Sequence, residues 1–271
     1  MSEPPAGPIP HQHPVTRKRL VVPIPNADLV TIRKGLPVTT QPGVTIDLYG
    51  PPTADSGQRG AVVLVTGLPD PGARGVLGCA VNEMASFTSW ASAIAASGLI
   101  AVTFTTADDP AADLRGVMLH LHRFGDTLGI NGTRCGLWAC SAHVPNALGL
   151  LLDMPDAVRC AVLCYGFMLD LDRSQAVADA QRTWRFANPA QGRTVDELRA
   201  IPLFVARAGR DTVAGVNTSI DAFVPHALSR NLPLIFVNHH TGPHAFDLDD
   251  DSPGTHIIVR QMLAFLTTHL A

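Results

Sequence analysis

The chain has 271 residues, of which 46% are apolar and 16% charged, and its formal net charge is −3. That length suits one large domain with a substantial core, and the weak acidity gives no support for nucleic acid or an anionic membrane as a partner. The five cysteines form no C-x-x-C pair and no apolar run approaches the roughly 20 residues that cross a bilayer, so we expect a cytoplasmic protein without a disulfide framework.

The N-terminal residues 1–20 are rich in proline and are predicted to be a flexible lead-in to a single domain over residues 21–271. Two segments then alternate between apolar and polar side chains, at residues 29–33 and 44–49. Because this alternation is typical of half-buried strands, the two segments predict an antiparallel pair at the edge of a sheet.

Denser apolar runs follow, and such runs suit strands that are buried on both faces of a parallel sheet. They occupy residues 61–65, 99–104, 135–139, 158–164, 202–206 and 233–237. Segments with helical spacing of their apolar residues lie at 84–97, 110–128, 144–152, 218–229 and 256–270. The alternation predicts an α/β fold, with a mostly parallel, twisted sheet of about eight strands and helices on both faces.

One stretch, residues 167–200, is longer than a simple crossover between two strands requires, and it carries Trp184 and Phe186. We expect a small cap insertion here. The two aromatic side chains are candidates to line an apolar substrate pocket, and packing in the core is the alternative.

Ser141 lies at the end of the run 135–139, immediately before a predicted helix. A serine on such a tight turn has an exposed hydroxyl, and the next backbone N–H lies at a helix N-terminus, as a nucleophile elbow requires. The residues two before and two after a nucleophile of this kind are usually glycine, but here they are Ala139 and His143. A serine that only caps the helix is the alternative.

Two further strand ends carry groups that would activate a serine. Asp211 follows the run 202–206, and His244 follows the run 233–237. A carboxylate can orient a histidine, and histidine is the natural general base near neutral pH. Each is a common loop residue when taken singly. Together, in the order Ser, Asp, His and each beyond a strand, they predict a catalytic triad.

The loop after the run 61–65, with the sequence T-G-L-P-D-P-G, is rich in glycine and proline. It is a candidate oxyanion loop. The backbone N–H of Leu68 can pair with that of Ala142 to stabilise the negatively charged oxygen of a tetrahedral intermediate.

These phrases resemble the α/β-hydrolase family, particularly its dienelactone-hydrolase-like branch, over roughly residues 29–270. The similar phrases are T-G-L at 66–68, G-L-W-A-C-S-A-H at 136–143, A-G-R-D at 208–211 and H-A-F at 244–246. The resemblance implies that Ser141 is the nucleophile, His244 the base and Asp211 the orienting acid.

Two positions depart from the pattern of that family. Thr66 replaces the histidine of the oxyanion loop, and His143 replaces the second glycine of the elbow, where it either widens the turn or sends its side chain toward the pocket. Dienelactone hydrolases use a cysteine nucleophile, so Cys140 is an alternative to Ser141. A nucleophile at Cys140 would place Trp138 at the crowded position two residues earlier, which the geometry disfavours.

The expected protein is a serine hydrolase that cleaves a small carboxylic ester, thioester or lactone through an acyl-enzyme, with no cofactor. An acyltransferase or cyclase with the same triad, and a hydrolase-fold binding protein with an impaired elbow, are the alternatives.

His143 and Arg74 are further candidates for the substrate pocket, although a loop arginine is commonly a surface or anchoring residue. No histidine pair has the spacing of a metal site, so no metal is expected, and a homodimer stays open.

Overall fold

A computed structural model describes residues 13–52 and 57–271. Its centre is an eight-stranded sheet with the strand order β1-β2-β4-β3-β5-β6-β7-β8. The strands are β1 Thr31–Pro37, β2 Thr45–Gly50, β3 Arg59–Leu64, β4 Ile100–Phe104, β5 Ile130–Cys140, β6 Ala161–Cys164, β7 Leu203–Ala208 and β8 Leu234–His239. The first two strands form the antiparallel edge and the other six are parallel. The predicted fold class is confirmed.

The α-helices lie between and after the strands. They are α1 Asp70–Leu77, α2 Ala85–Ala96, α3 Pro110–Leu128, α4 Val144–Asp153, α5 Ala176–Trp184, α6 Val216–Ser229, α7 Phe246–Asp249 and α8 Pro253–Leu270. The pattern of the sequence predicts α2, α3, α4, α6 and α8. It does not predict α1, because that helix contains one proline and two glycines, which are poor helix formers.

The bounds of α3 show how local chemistry sets the ends of a helix. The Asp109 side chain accepts the N–H groups of Ala111 and Ala112, both at 3.0 Å, and Pro110 occupies the first helical position. Gly129 ends the helix with φ 81°, a left-handed conformation that glycine adopts without strain.

Two hydrophobic clusters cover the two faces of the sheet. One contains Leu114 from α3, Leu148 from α4 and Phe223 from α6. The other contains Trp90 from α2 and Met262 from α8. Because both faces are covered, the central strands are largely buried, and a ligand site is expected at the end of the sheet where their carboxyl ends meet.

The N-terminal segment lies partly outside the described residues, since residues 1–12 of the predicted lead-in are not among them. Residues 13–20 pack against the domain: Pro14–Arg17 forms a 3-10 helix, and the Leu20 N–H donates to Ser89 Oγ of α2 at 2.9 Å. Residues 167–200, the predicted cap, contain α5 and connect β6 to β7. No helix of the described residues is long and apolar enough to cross a membrane.

Candidate active site

Ser141 lies where β5 ends and the chain turns toward α4. Its backbone has φ 50°, in the left-handed region, and Ser141–His143 form one turn of 3-10 helix. Pro145 falls in the first turn of α4, where a missing N–H costs little. A non-glycine residue in this conformation stores about 1 kcal/mol or more of strain. A sharp, strained strand-to-helix turn is the geometry of a nucleophile elbow.

Two hydrogen bonds link Ser141 to a buried carboxylate. Ser141 Oγ lies 2.9 Å from His244 Nε2, and His244 Nδ1 lies 2.6 Å from Asp211 Oδ2. An ionised carboxylate only accepts hydrogen bonds, so Nδ1 of His244 donates to Asp211 and Nε2 accepts the hydroxyl proton of Ser141. The Asp211 side chain is fully buried and that of His244 is 24% exposed. The structure therefore brings the three predicted triad residues together, with the imidazole reachable from solvent.

The loop that carries Asp211 is held against the end of β8. The Gly209 N–H donates to the carbonyl of His239 at 2.8 Å. A side chain at Gly209 is excluded, because its Cβ would lie 2.5 Å from the carbonyl oxygen of His240. Asp211 Oδ1 accepts the N–H of Val213 at 2.8 Å. Both carboxylate oxygens therefore have fixed partners, and Oδ2 is directed at the imidazole.

The candidate oxyanion loop is anchored through every carbonyl of residues 66–68. These carbonyls accept, in order, from Asn146 Nδ2 at 2.7 Å, the Ala187 N–H at 2.7 Å and Thr106 Oγ1 at 2.8 Å. Among the residues that the structure describes, the Leu68 N–H has no hydrogen-bond acceptor. The loop is thus immobilised and keeps this donor available.

The second candidate donor, the Ala142 N–H, belongs to the 3-10 turn Ser141–His143. The first N–H groups of a helix have no partner within it. Gly67 packs directly on this turn, since a Cβ at Gly67 would lie 2.9 Å from the carbonyl oxygen of Ala142. The two candidate donors are therefore on segments that touch each other.

His143 turns its side chain beneath the oxyanion loop. Its Nδ1 accepts the Gly67 N–H at 2.8 Å, and its ring meets Phe87 edge-on with 5.4 Å between centroids. Burial lowers the pKa of His143 to about 4, so the imidazole is neutral near neutral pH and is able to accept. The residue that departs from the glycine pattern thus joins the elbow to the loop. It also occupies the Gly67 N–H, which leaves that of Leu68 as the free donor.

Cys140 is the last residue of β5 and has an extended backbone with φ −134°. Burial, together with the nearby Asp247 carboxylate, raises the pKa of its thiol far above the usual range. Because the thiolate is the nucleophilic form, this environment disfavours attack by Cys140. The imidazole of His244 is bonded to the neighbouring Ser141 hydroxyl.

The remaining pocket candidates are not gathered at one place. Arg74 forms an ion pair with Glu83 at 3.0 Å. Phe186 is buried and stacks on Phe167 with 5.2 Å between ring centroids. Trp184 is exposed at the last position of α5.

Two groups near the triad are not singled out by sequence reasoning. Asn146, which anchors the candidate oxyanion loop, is a buried polar residue within the otherwise apolar residues 144–152 of α4, and that contrast is a signal that could have found it. Asp247 accepts from Trp90 Nε1 at 2.6 Å and from the Tyr165 hydroxyl at 2.5 Å, and burial raises its pKa. The Tyr165 ring meets the His244 imidazole at 5.0 Å between centroids, so this cluster packs against His244.

The sheet order, the strained turn after β5, and a carboxylate and a histidine after β7 and β8 define an α/β-hydrolase fold. The chain has this fold. Within the described residues, no group of three His, Cys, Asp or Glu side chains is placed to hold a metal ion.

Solved structures similar to the chain share the fold. They include a fungal esterase from Rhizomucor miehei, with a TM-score of 0.69 and 11% identity, over 92% of this chain and 87% of that one. An esterase from Pyrobaculum calidifontis has a TM-score of 0.66 and 16% identity, over 95% and 88%. An α/β-hydrolase enzyme from a Medee basin deep-sea metagenome library has a TM-score of 0.62 and 17% identity, over 88% and 97%. No family model and no curated protein matches the sequence.

Proposed function

We propose that the protein is a serine hydrolase that cleaves a carboxylic ester, thioester or lactone through an acyl-enzyme on Ser141. The observation that carries the proposal is the continuous hydrogen-bond chain from Ser141 Oγ through His244 to Asp211. Esterases among the structures of the same fold support ester hydrolysis.

In the first half of the reaction, Ser141 Oγ attacks the carbonyl carbon of the ester, and its proton passes to His244 Nε2. Asp211 stabilises the imidazolium and holds its tautomer. The carbonyl oxygen becomes an oxyanion, which accepts hydrogen bonds from the N–H groups of Leu68 and Ala142. The carbon–oxygen bond to the alcohol then breaks, and His244 returns the proton to the leaving oxygen.

In the second half, His244 Nε2 takes a proton from water, and the resulting hydroxide attacks the acyl carbon. The same two N–H groups stabilise the second oxyanion. Ser141 leaves as the alcohol after receiving the proton from His244, and the carboxylic acid product departs. Each half of the cycle returns the imidazole to its neutral form, so no cofactor is required.

The position of the oxyanion donors depends on a clamp that the glycine pattern of the family does not have. His143 is fixed to the elbow by its own backbone and to the loop by the Gly67 N–H. We propose that this bond sets the distance between the Leu68 and Ala142 donors. His143 is in this view a positioning residue, since it contacts the loop and not the reacting atoms.

We propose that, within the α/β-hydrolase fold, the chain belongs with the dienelactone-hydrolase-like branch, because its elbow, acid and histidine phrases resemble those of that branch. Its cysteine nucleophile is not carried over, because burial keeps Cys140 protonated.

Labelling with a fluorophosphonate probe tests the nucleophile directly. Wild-type protein is expected to carry the label on Ser141, Ser141→Ala to carry none, and the matched control Cys140→Ala to label as wild type does. Mass spectrometry of the labelled peptide locates the adduct. A label on Cys140, or folded wild-type protein without any label, would overturn the proposal. Product analysis with a competing amine or alcohol separates hydrolysis from acyl transfer.

A further inference from the structure

An apolar cleft of about 720 Å³ opens beside the oxyanion loop. It is lined by α1, which contributes Ala73, Val76 and Leu77, and by the end of α5, with Trp184. Leu68 also lines it. The volume is in the range of small-molecule sites, and the lining is of the apolar kind that such sites use.

Two of the apolar side chains that line the cleft are highly exposed. Of the large apolar side chains in the described residues, Val76 and Trp184 are the most exposed, at 75% and 61%. Both line this one cleft. The polar lining residues Thr183 and Arg185 are exposed as well. Apolar surface concentrated in one concave place marks a binding site more specifically than single exposed residues do.

The cleft shares one lining residue with the candidate oxyanion hole. Leu68, whose N–H is the free donor of the oxyanion loop, is part of its lining. Its neighbour Gly67 packs on the elbow turn and is tied through its carbonyl to the N–H of Ala187, three residues beyond Trp184. One short loop therefore contributes both to the candidate oxyanion hole and to the lining of the cleft.

We propose that this cleft binds an extended apolar group of the ester substrate while the ester carbonyl lies at Ser141. The inference rests on the proposed function and names its substrate class: an ester with an alkyl or aryl group much larger than acetyl. The apolar group is on the acyl side or on the alcohol side, and the chemistry that recognises it is the same in both cases.

Two series of esters test the inference. One series keeps a p-nitrophenyl leaving group and lengthens the acyl chain from acetate through butyrate to octanoate, and the other keeps acetate and lengthens the alcohol. In one of them kcat/KM is expected to rise about fourfold for each added methylene until the cleft is filled, which corresponds to ~0.8 kcal/mol per buried methylene. The series that rises identifies the side of the ester that the cleft holds.

Two variants connect that rise to the cleft. The preference for long esters is the kcat/KM for the long ester divided by the kcat/KM for the acetate. Val76→Asp and Trp184→Ala are each expected to lower this preference by about tenfold, which corresponds to the loss of roughly 55 Å² of apolar contact. Leu119→Asp is the matched control, because Leu119 is also an exposed apolar residue on a helix but does not line the cleft. It is expected to keep the wild-type profile.

Failure of the inference and failure of the proposed function give different results. If wild-type protein hydrolyses the acetate ester but kcat/KM does not rise along either series, the cleft is not a substrate subsite and the inference is wrong. The same conclusion follows if kcat/KM rises as steeply in Val76→Asp as in wild type. If folded wild-type protein neither hydrolyses acetate nor takes the fluorophosphonate label, the proposed function itself fails. Thermal unfolding of each variant shows that the fold is intact.

Discussion

His244 contacts Ser141 and His143 contacts the candidate oxyanion loop beside it, but the two imidazoles differ in their exposure and in their hydrogen-bond partners. His244 is partly exposed, with Asp211 on one ring nitrogen and the Ser141 hydroxyl on the other. His143 is buried, has Phe87 against its ring, and accepts a single backbone N–H. The first imidazole has a carboxylate to stabilise its charged form, and the second has only a donor that its charged form would repel. The difference in hydrogen-bond partners supports His244, rather than His143, as the proposed base.

The largest expected effect comes from removing the proposed base. His244→Ala is expected to lower kcat by about 10⁶-fold, because neither Ser141 nor the attacking water can then lose its proton. The measurement is the rate of hydrolysis of a p-nitrophenyl ester, with circular dichroism as the control for folding. Retention of more than a small part of the activity would assign the role of base to another group and remove the contrast between the two histidines.

Replacing the proposed orienting acid is expected to have the next largest effect. Asp211→Asn keeps the size of the side chain but favours the wrong tautomer of His244, so kcat is expected to fall by about 10⁴-fold with little change in KM. Steady-state kinetics on the same ester measures both. If kcat stays near wild type, the short Asp211–His244 contact has no part in the chemistry.

The buried histidine predicts a pH dependence of stability rather than of catalysis. Burial lowers the pKa of His143 to about 4 from 6.5, so the unfolded chain binds more protons than the folded chain between these values. The contribution of neutral His143 is complete above pH 6.5 and is lost as the pH falls toward 4. The loss is on the order of 3 kcal/mol in the free energy of unfolding.

Denaturant unfolding of wild type and His143→Asn over this pH range measures that loss, and the difference between the two cancels the other titrating groups. Asparagine keeps an acceptor near the position of Nδ1 but does not titrate. The two stabilities are expected to diverge from pH 6.5 downward, with wild type losing more. Parallel curves would show that His143 is already charged in the folded protein or does not titrate in this window.

The smallest expected effect concerns the oxyanion loop. His143→Leu removes the acceptor of the Gly67 N–H and is expected to lower kcat about tenfold, a fraction of the effect of deleting an oxyanion donor outright. His143→Asn is expected to recover most of that loss, because its side-chain oxygen can accept the same bond. KM is expected to change little in either variant. Equal activities of the two variants would mean that the clamp does not position the donors.

Much of the fold follows from patterns that are local in the chain. The positions of the eight strands were predictable because each contains a short β-type run of apolar or alternating residues, although β5 begins at Ile130, before the predicted run 135–139. The helix α3 was predictable because Asp109 and Gly129 mark its ends. The helix α1 was not predictable, since its glycines oppose helix formation and only its contacts with the domain stabilise it.

The candidate site also has features that the sequence predicts and features that it does not. The order of Ser141, Asp211 and His244 along the chain indicates the triad, because strand ends of a parallel sheet meet at one edge. The inward orientation of His143 was not predictable, since it depends on a loop 76 positions away. The same is true of Asp247, whose partner Trp90 is 157 positions earlier in the chain.

The left-handed backbone of Ser141 affects which residue is most stable at that position. Glycine adopts φ 50° without the penalty that a Cβ brings, so Ser141→Gly is expected to be more stable than wild type by up to about 1 kcal/mol. Under the proposed function, the more heat-resistant residue at that position leaves the protein without activity. A library selected only for thermal stability is then expected to discard the proposed nucleophile, and a selection that is to keep it has to include turnover.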